Sequence, residues 1–106
     1  MISFDLKFSL CSVVRAELLL GARNSGRVEE NLERVRLFAE PPKSLAFDDY
    51  CAEHYAIIRA ALTARGTPIG PNDTLISAIA LAHQATLVTR NQREFQRVES
   101  LQLESW

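Results

Sequence analysis

The stretch Ile69-Gly70-Pro71-Asn72-Asp73-Thr74-Leu75-Ile76-Ser77-Ala78-Ile79-Ala80 allows few folds, because it sets a single carboxylate at the mouth of an otherwise apolar helix. Gly70 and Pro71 make a turn and Asn72 or Asp73 is a natural N-cap. Leu75, Ile76, Ile79 and Leu81 then read as a buried helix. Such a helix has to be covered, so the rest of the chain must pack around it. Asp73 has two explanations: it caps the helix and complements its dipole, or it binds a cation at a reactive centre.

The elements on either side alternate. Residues 7–13 are rich in strand formers, and Ser12 can cap a helix through Val13 to Ala22 that carries Glu17 on an apolar face. A second helix is expected over residues 26–40, started by Asn24 or Ser25 and stopped by Pro41-Pro42. Val28, Leu32 and Val35 recur along it, and its charges read as a solvated face. Residues 43–47 suit an edge strand. Asp48-Asp49 opens a long helix to about Arg65, with Cys51, Tyr55, Ile58 and Leu62 as its stripe and Gly66 as its stop. Beyond the opening helix, Ala85-Thr86-Leu87-Val88-Thr89 is a β-run, and Leu101 to Glu104 alternates like a half-exposed strand. Strands separated by helices predict an α/β fold, a parallel sheet flanked by helices, with its site beyond the carboxyl ends of the strands. Glu17, Asp73, Asn91 and Glu94 fall at that edge.

Composition narrows the function. At 106 residues, 47% of them hydrophobic and 24% charged, the chain reads as one globular domain over residues 1–106. It shows no membrane span and no signal-peptide pattern, so the expected location is cytoplasmic. A net charge of −1 argues against indiscriminate nucleic-acid binding, although ten of the twelve basic residues are Arg, whose planar fork suits phosphate. Cys11 and Cys51 lack a partner motif and read as reduced and buried. His54 and His83 do not complete a zinc set. Converging carboxylates repel one another, and an all-oxygen set of Asp, Glu and Asn suits a hard ion, Mg²⁺ or Mn²⁺, the usual aid to phosphoryl transfer. There is no G-x-S-x-G elbow and no phosphate-cradling glycine loop.

Three tracts then resemble a known family: Ser12-Val13-Val14-Arg15-Ala16-Glu17-Leu18-Leu19-Leu20-Gly21-Ala22, Gly66-Thr67-Pro68-Ile69-Gly70-Pro71-Asn72-Asp73, and Ala85-Thr86-Leu87-Val88-Thr89-Arg90-Asn91 with Arg93-Glu94-Phe95. With Ile57 to Leu62 and the final Glu104-Ser105-Trp106, this ordered series is similar to the VapC-type PIN-domain ribonucleases, toxins of bacterial toxin–antitoxin pairs. The resemblance implies Glu17, Asp73 and Asn91 as metal ligands, Glu94 as an accessory catalytic acid, and Mg²⁺ or Mn²⁺ as cofactor. It further implies RNA as substrate, with Arg90 and Arg93 on its phosphates, a cognate antitoxin as partner, and a homodimer. Family members begin with a strand ending in Asp, and no such strand opens this sequence. Asp5 is the one substitute, and the residues between it and Glu17 are already used by the strand and helix start. The expected fold is therefore PIN-like without its usual first central strand, leaving a sheet edge open to pairing. Two functions stand against each other: a metal-dependent ribonuclease, and a catalytically weak or inactive PIN fragment acting as a dimerisation or antitoxin-binding module through the hairpin at Val28 to Phe38.

Overall fold

The computed structural model describes residues 3–4, 10–38, 44–89 and 91–105. In chain order these form β1 (Ser3–Phe4), β2 (Leu10–Cys11), α1 (Ser12–Arg23), α2 (Val28–Phe38), β3 (Ser44–Leu45), α3 (Asp49–Ala64), α4 (Pro71–Ala82), β4 (Thr86–Val88), α5 (Gln92–Phe95) and β5 (Gln102–Glu104). The α/β alternation read from the sequence is present.

Helix α4 is the hub. Thr74 and the unbroken run Ile76 to Ala80 are all buried, so the helix is enclosed on nearly every side. One cluster joins Cys11, Val14, Cys51, Ile76, Ile79, Ala80, Ala85, Leu87 and Phe95. A second joins Ala78 to Ile58, Leu62 and Val98. The two clusters share α4, which contributes to each from a different face. Burying a side chain the size of Ile contributes roughly 1.5–3 kcal/mol, so Ile76 and Ile79 alone anchor the helix firmly.

The strands form two small sheets, one of three strands in the order β1-β4-β5 and one of two, β2-β3. β2 pairs with β3 in parallel, and β4 pairs with β5 in parallel through Thr86–Gln102, Leu87–Leu103 and Val88–Glu104. β1 runs antiparallel to β4, with Ser3 opposite Val88 and Phe4 opposite Leu87. β4 is thus paired on both sides, by β1 and by β5, and a short segment of the same chain occupies one of those edges. The proposed substitute Asp5 lies outside the described residues, as do positions 7–9 of the expected first strand and residues 39–40 of the expected second helix.

Several starts and stops move. Ser12 does not cap α1; Cys11 stands at the cap in extended conformation and Ser12 is the first helical residue. Neither Asn72 nor Asp73 caps α4, because Gly70 holds that position and Pro71, which has no N–H to satisfy, takes the first turn. Asp48 does cap α3, accepting a hydrogen bond from the Cys51 N–H at 3.0 Å, and that bond holds its carboxyl below the ordinary range. At the other end of α3, Gly66 at φ +70° lets its own N–H reach the Thr63 carbonyl and the Thr67 N–H reach the Leu62 carbonyl. Glu30 bonds Arg34 at 3.0 Å on the exposed face of α2, which is the solvated face expected. Both cysteines are free and buried, and burial pushes both thiols up, which makes them unreactive.

Open space surrounds the position where a Cβ would sit on Gly66, so replacing it tests backbone strain alone. Gly66→Ala is expected to cost about 1 kcal/mol. Thermal unfolding should show a fall of about 4 °C or more, and an unchanged midpoint would show that the left-handed turn is not retained.

Candidate functional site

Three helices bring the acids together. Asp73 sits in the first turn of α4, where the helix emerges from its apolar surroundings. Glu94 belongs to the single turn of α5, fixed by its fully buried neighbour Phe95. Glu17 projects from the middle of α1, one turn beyond the buried Val14.

The Asp73 and Glu94 carboxyls lie within side-chain hydrogen-bonding reach of one another, and Glu17 adds a third negative charge. Burial, the bond that protonated Asp73 can donate to the Glu94 carboxylate, and the charges of Glu94 and Glu17 push Asp73 up to about 6. The two readings of Asp73 separate at this point: Gly70 occupies the cap, and the Asp73 carboxyl meets other acids. Its backbone carbonyl accepts the Ser77 hydroxyl at 2.8 Å, which ties the acid's own backbone to the buried body of α4. Glu17 is exposed, and its Oε1 accepts the Asn72 side-chain amide at 3.2 Å.

The remaining expected residues are less closely engaged. Asn91 is exposed at the N-cap of α5; its N–H donates to the buried Thr89 hydroxyl at 3.0 Å, and it is not among the groups acting on Asp73. Arg93 is exposed on α5 beside Glu94. Arg90 lies outside the described residues. Sequence reasoning passed over Asn72 as a site residue, although its place directly before Asp73 was a signal for it.

Among the described residues the donors acting on Asp73 are carboxylate oxygens, which fits a hard divalent cation, and the raised proton affinity of Asp73 is the response expected of a carboxyl that is partly buried and crowded by like charge. Among the described residues, no three His, Cys, Asp or Glu are grouped closely enough to hold a metal by themselves. A cation here would rest on the Asp73–Glu94 contact, with Glu17 and ordered water completing its surroundings.

The PIN domain family model matches residues 5–101. Ribonuclease VapC2 of Rickettsia felis is 38% identical over 98 residues, covering 92% of this chain and 73% of that protein. The tRNA(fMet)-specific endonuclease VapC of Salmonella typhimurium is 36% identical over 100 residues, 94% of this chain and 76% of its own length. Among solved structures, VapBC2 of Rickettsia felis bound to a promoter DNA fragment superposes with a TM-score of 0.86 at 38% identity, covering 92% of this chain and 74% of the other. VapBC-1 of Haemophilus influenzae does so with a TM-score of 0.87 at 34% identity, covering 92% and 73%.

The shift at Asp73 has a thermodynamic sign. The folded chain binds its proton more tightly than an ordinary carboxyl of 3.8, so the ionised acid opposes folding. That opposition is absent below 3.8, grows as pH rises towards about 6 and is complete above it. Asp73→Asn should therefore raise the melting temperature at neutral pH by about 2–4 °C, discounted for its partial exposure. The gain should vanish as pH falls towards 3.8. A loss of stability at neutral pH would contradict the crowding of these acids.

Proposed function

The chain belongs to the PIN-domain family, with VapC ribonucleases as its relatives, and on that premise we propose that it is a divalent-metal-dependent endoribonuclease that hydrolyses RNA phosphodiester bonds around Asp73, Glu94 and Glu17. The carrying observation is the contact between Asp73 and Glu94, which crowds negative charge onto a carboxyl at the edge of the core. Two touching carboxyls hold one proton between them readily and two full charges poorly. A bound Mg²⁺ or Mn²⁺ would supply the counter-charge, polarise the scissile phosphate and lower the proton affinity of an attacking water.

The chain's own groups divide the work. Asp73 presents its carboxylate from a rigid helix turn, and the buried run from Ile76 to Ala80 keeps that turn in place. Glu94 approaches from α5 and completes the pair. Glu17, held by Asn72, supports the same charge from the exposed side. Asn91 stands at the start of α5, on the same segment as Glu94, as a further oxygen donor. Arg93 offers a guanidinium fork to the RNA backbone, the role the resemblance also gives Arg90.

The partner is a cognate antitoxin. Relatives are known as VapBC complexes, and Leu20, Leu37 and Phe38 stand exposed on α1 and α2, where an apolar segment of such a partner would bury them. A homodimer is the accompanying assembly. The catalytically weak alternative draws on one observation, that no three acids among the described residues form a ready metal set.

Purified protein with RNA and MgCl₂ should cleave, and removing the metal with a chelator should stop it. Asp73→Ala should lower kcat/KM by about 100-fold or more. Equal cleavage by the two proteins would remove Asp73 from the reaction, and no cleavage by the parent chain, with antitoxin binding retained, would favour the alternative.

A further inference from the structure

Arg97 is the side chain that links the two carriers of the paired acids. Its backbone N–H donates to the Glu94 carbonyl at 3.1 Å, so it continues directly from the turn that presents Glu94. Its guanidinium Nη1 donates to the Pro68 carbonyl at 3.0 Å, across 29 residues of sequence. Pro68 lies two residues before Gly70, the cap of α4, and five before Asp73. A separate contact reaches only the backbone here: Arg65 donates to the Arg97 carbonyl at 2.7 Å and pairs with Glu99 at 3.6 Å, touching neither the Arg97 guanidinium nor Pro68. Phe95 and Val98, on either side, are buried.

Among the described residues the charges acting on Asp73 are those of Glu94 and Glu17, so Arg97 does not act as a counter-ion. Its reach is through backbone. The connection between α3 and α4 carries no side-chain cap at Gly70, and Pro68 has no N–H with which to tether itself. A guanidinium on the Pro68 carbonyl adds a tether from the very segment that bears Glu94.

We propose that Arg97 is a positioning residue, which sets the spacing of Asp73 and Glu94 by clamping the entry to α4 onto the exit of α5. This deepens the ribonuclease reading and rests on it. Loosening the clamp spreads the acids and weakens their joint hold on a cation, while RNA contacts made elsewhere stay intact.

The test uses the full chain with Arg97→Gln, Arg97→Lys and, as comparison, Arg65→Gln, which loosens the same neighbourhood without touching Pro68. Titration with MgCl₂ should show affinity falling about tenfold in Arg97→Gln, the range found when a group that orients a metal ligand is removed. Arg97→Lys, which keeps one donor for the carbonyl, should recover most of it, and Arg65→Gln should stay within about twofold of the parent. RNA cleavage should lose kcat with KM unchanged. Amide exchange without metal should quicken over residues 69–74 in Arg97→Gln and stay unchanged at Leu87. Unchanged exchange at 69–74, equal Mg²⁺ losses in Arg65→Gln and Arg97→Gln, or an Arg97→Gln chain that does not fold would each overturn the proposal. A parent chain that binds no Mg²⁺, with exchange still quickened in Arg97→Gln, would overturn the ribonuclease reading and leave the clamp standing.

Discussion

Two acids in contact at the edge of an apolar core form the constraint on which the rest of this structure turns. The contact between Asp73 and Glu94 is unfavourable when both are ionised, and burial worsens it by removing the water that would screen them. It persists because each acid is carried by an element with little freedom. Asp73 is attached to a helix whose body is buried from Ile76 to Ala80, and Glu94 stands next to Phe95, which is wholly enclosed. The free energy that holds the acids together comes from apolar burial beneath them. A site built in this way stores an affinity for positive charge, and that property suits a centre that binds a metal ion or a proton.

The architecture serves that arrangement with modest means. Its strands are two or three residues long and form two sheets, a parallel pair and a mixed three-stranded set. What organises the core is α4, which belongs to both hydrophobic clusters and leads through the Gln84 turn into β4. The acids therefore sit at helix turns around one central helix, and the strands fix where those helices begin.

Much of this was legible in the sequence, and the reasons differ from element to element. The apolar run after Asp73 could only be a buried helix, and the Asp48 cap and Gly66 stop of α3 follow from local backbone chemistry. Convergence of Glu17, Asp73 and Glu94 was readable from their places relative to the strands and from the family pattern. The capping role considered for Asp73 was not separable by sequence, since Gly70, Asn72 and Asp73 all suit a helix start. Only the position of Pro71 in the first turn decides it. Likewise β1 could not be foreseen, because two residues carry no periodicity and their pairing with β4 is a tertiary matter. Arg97 was invisible for a similar reason: its partner is a carbonyl 29 residues away, and carbonyls leave no mark in a sequence.

The central claim is that Asp73 is kept from ionising normally by burial and by its acidic neighbours and is ready to exchange its proton for a cation. Carboxyl-carbon NMR of Asp73, followed against pH with and without MgCl₂, tests it most directly. The expected midpoint is about 6 in the free protein, falling towards or below the ordinary 3.8 when Mg²⁺ is present. A midpoint at 3.8 that ignores Mg²⁺ would contradict the account.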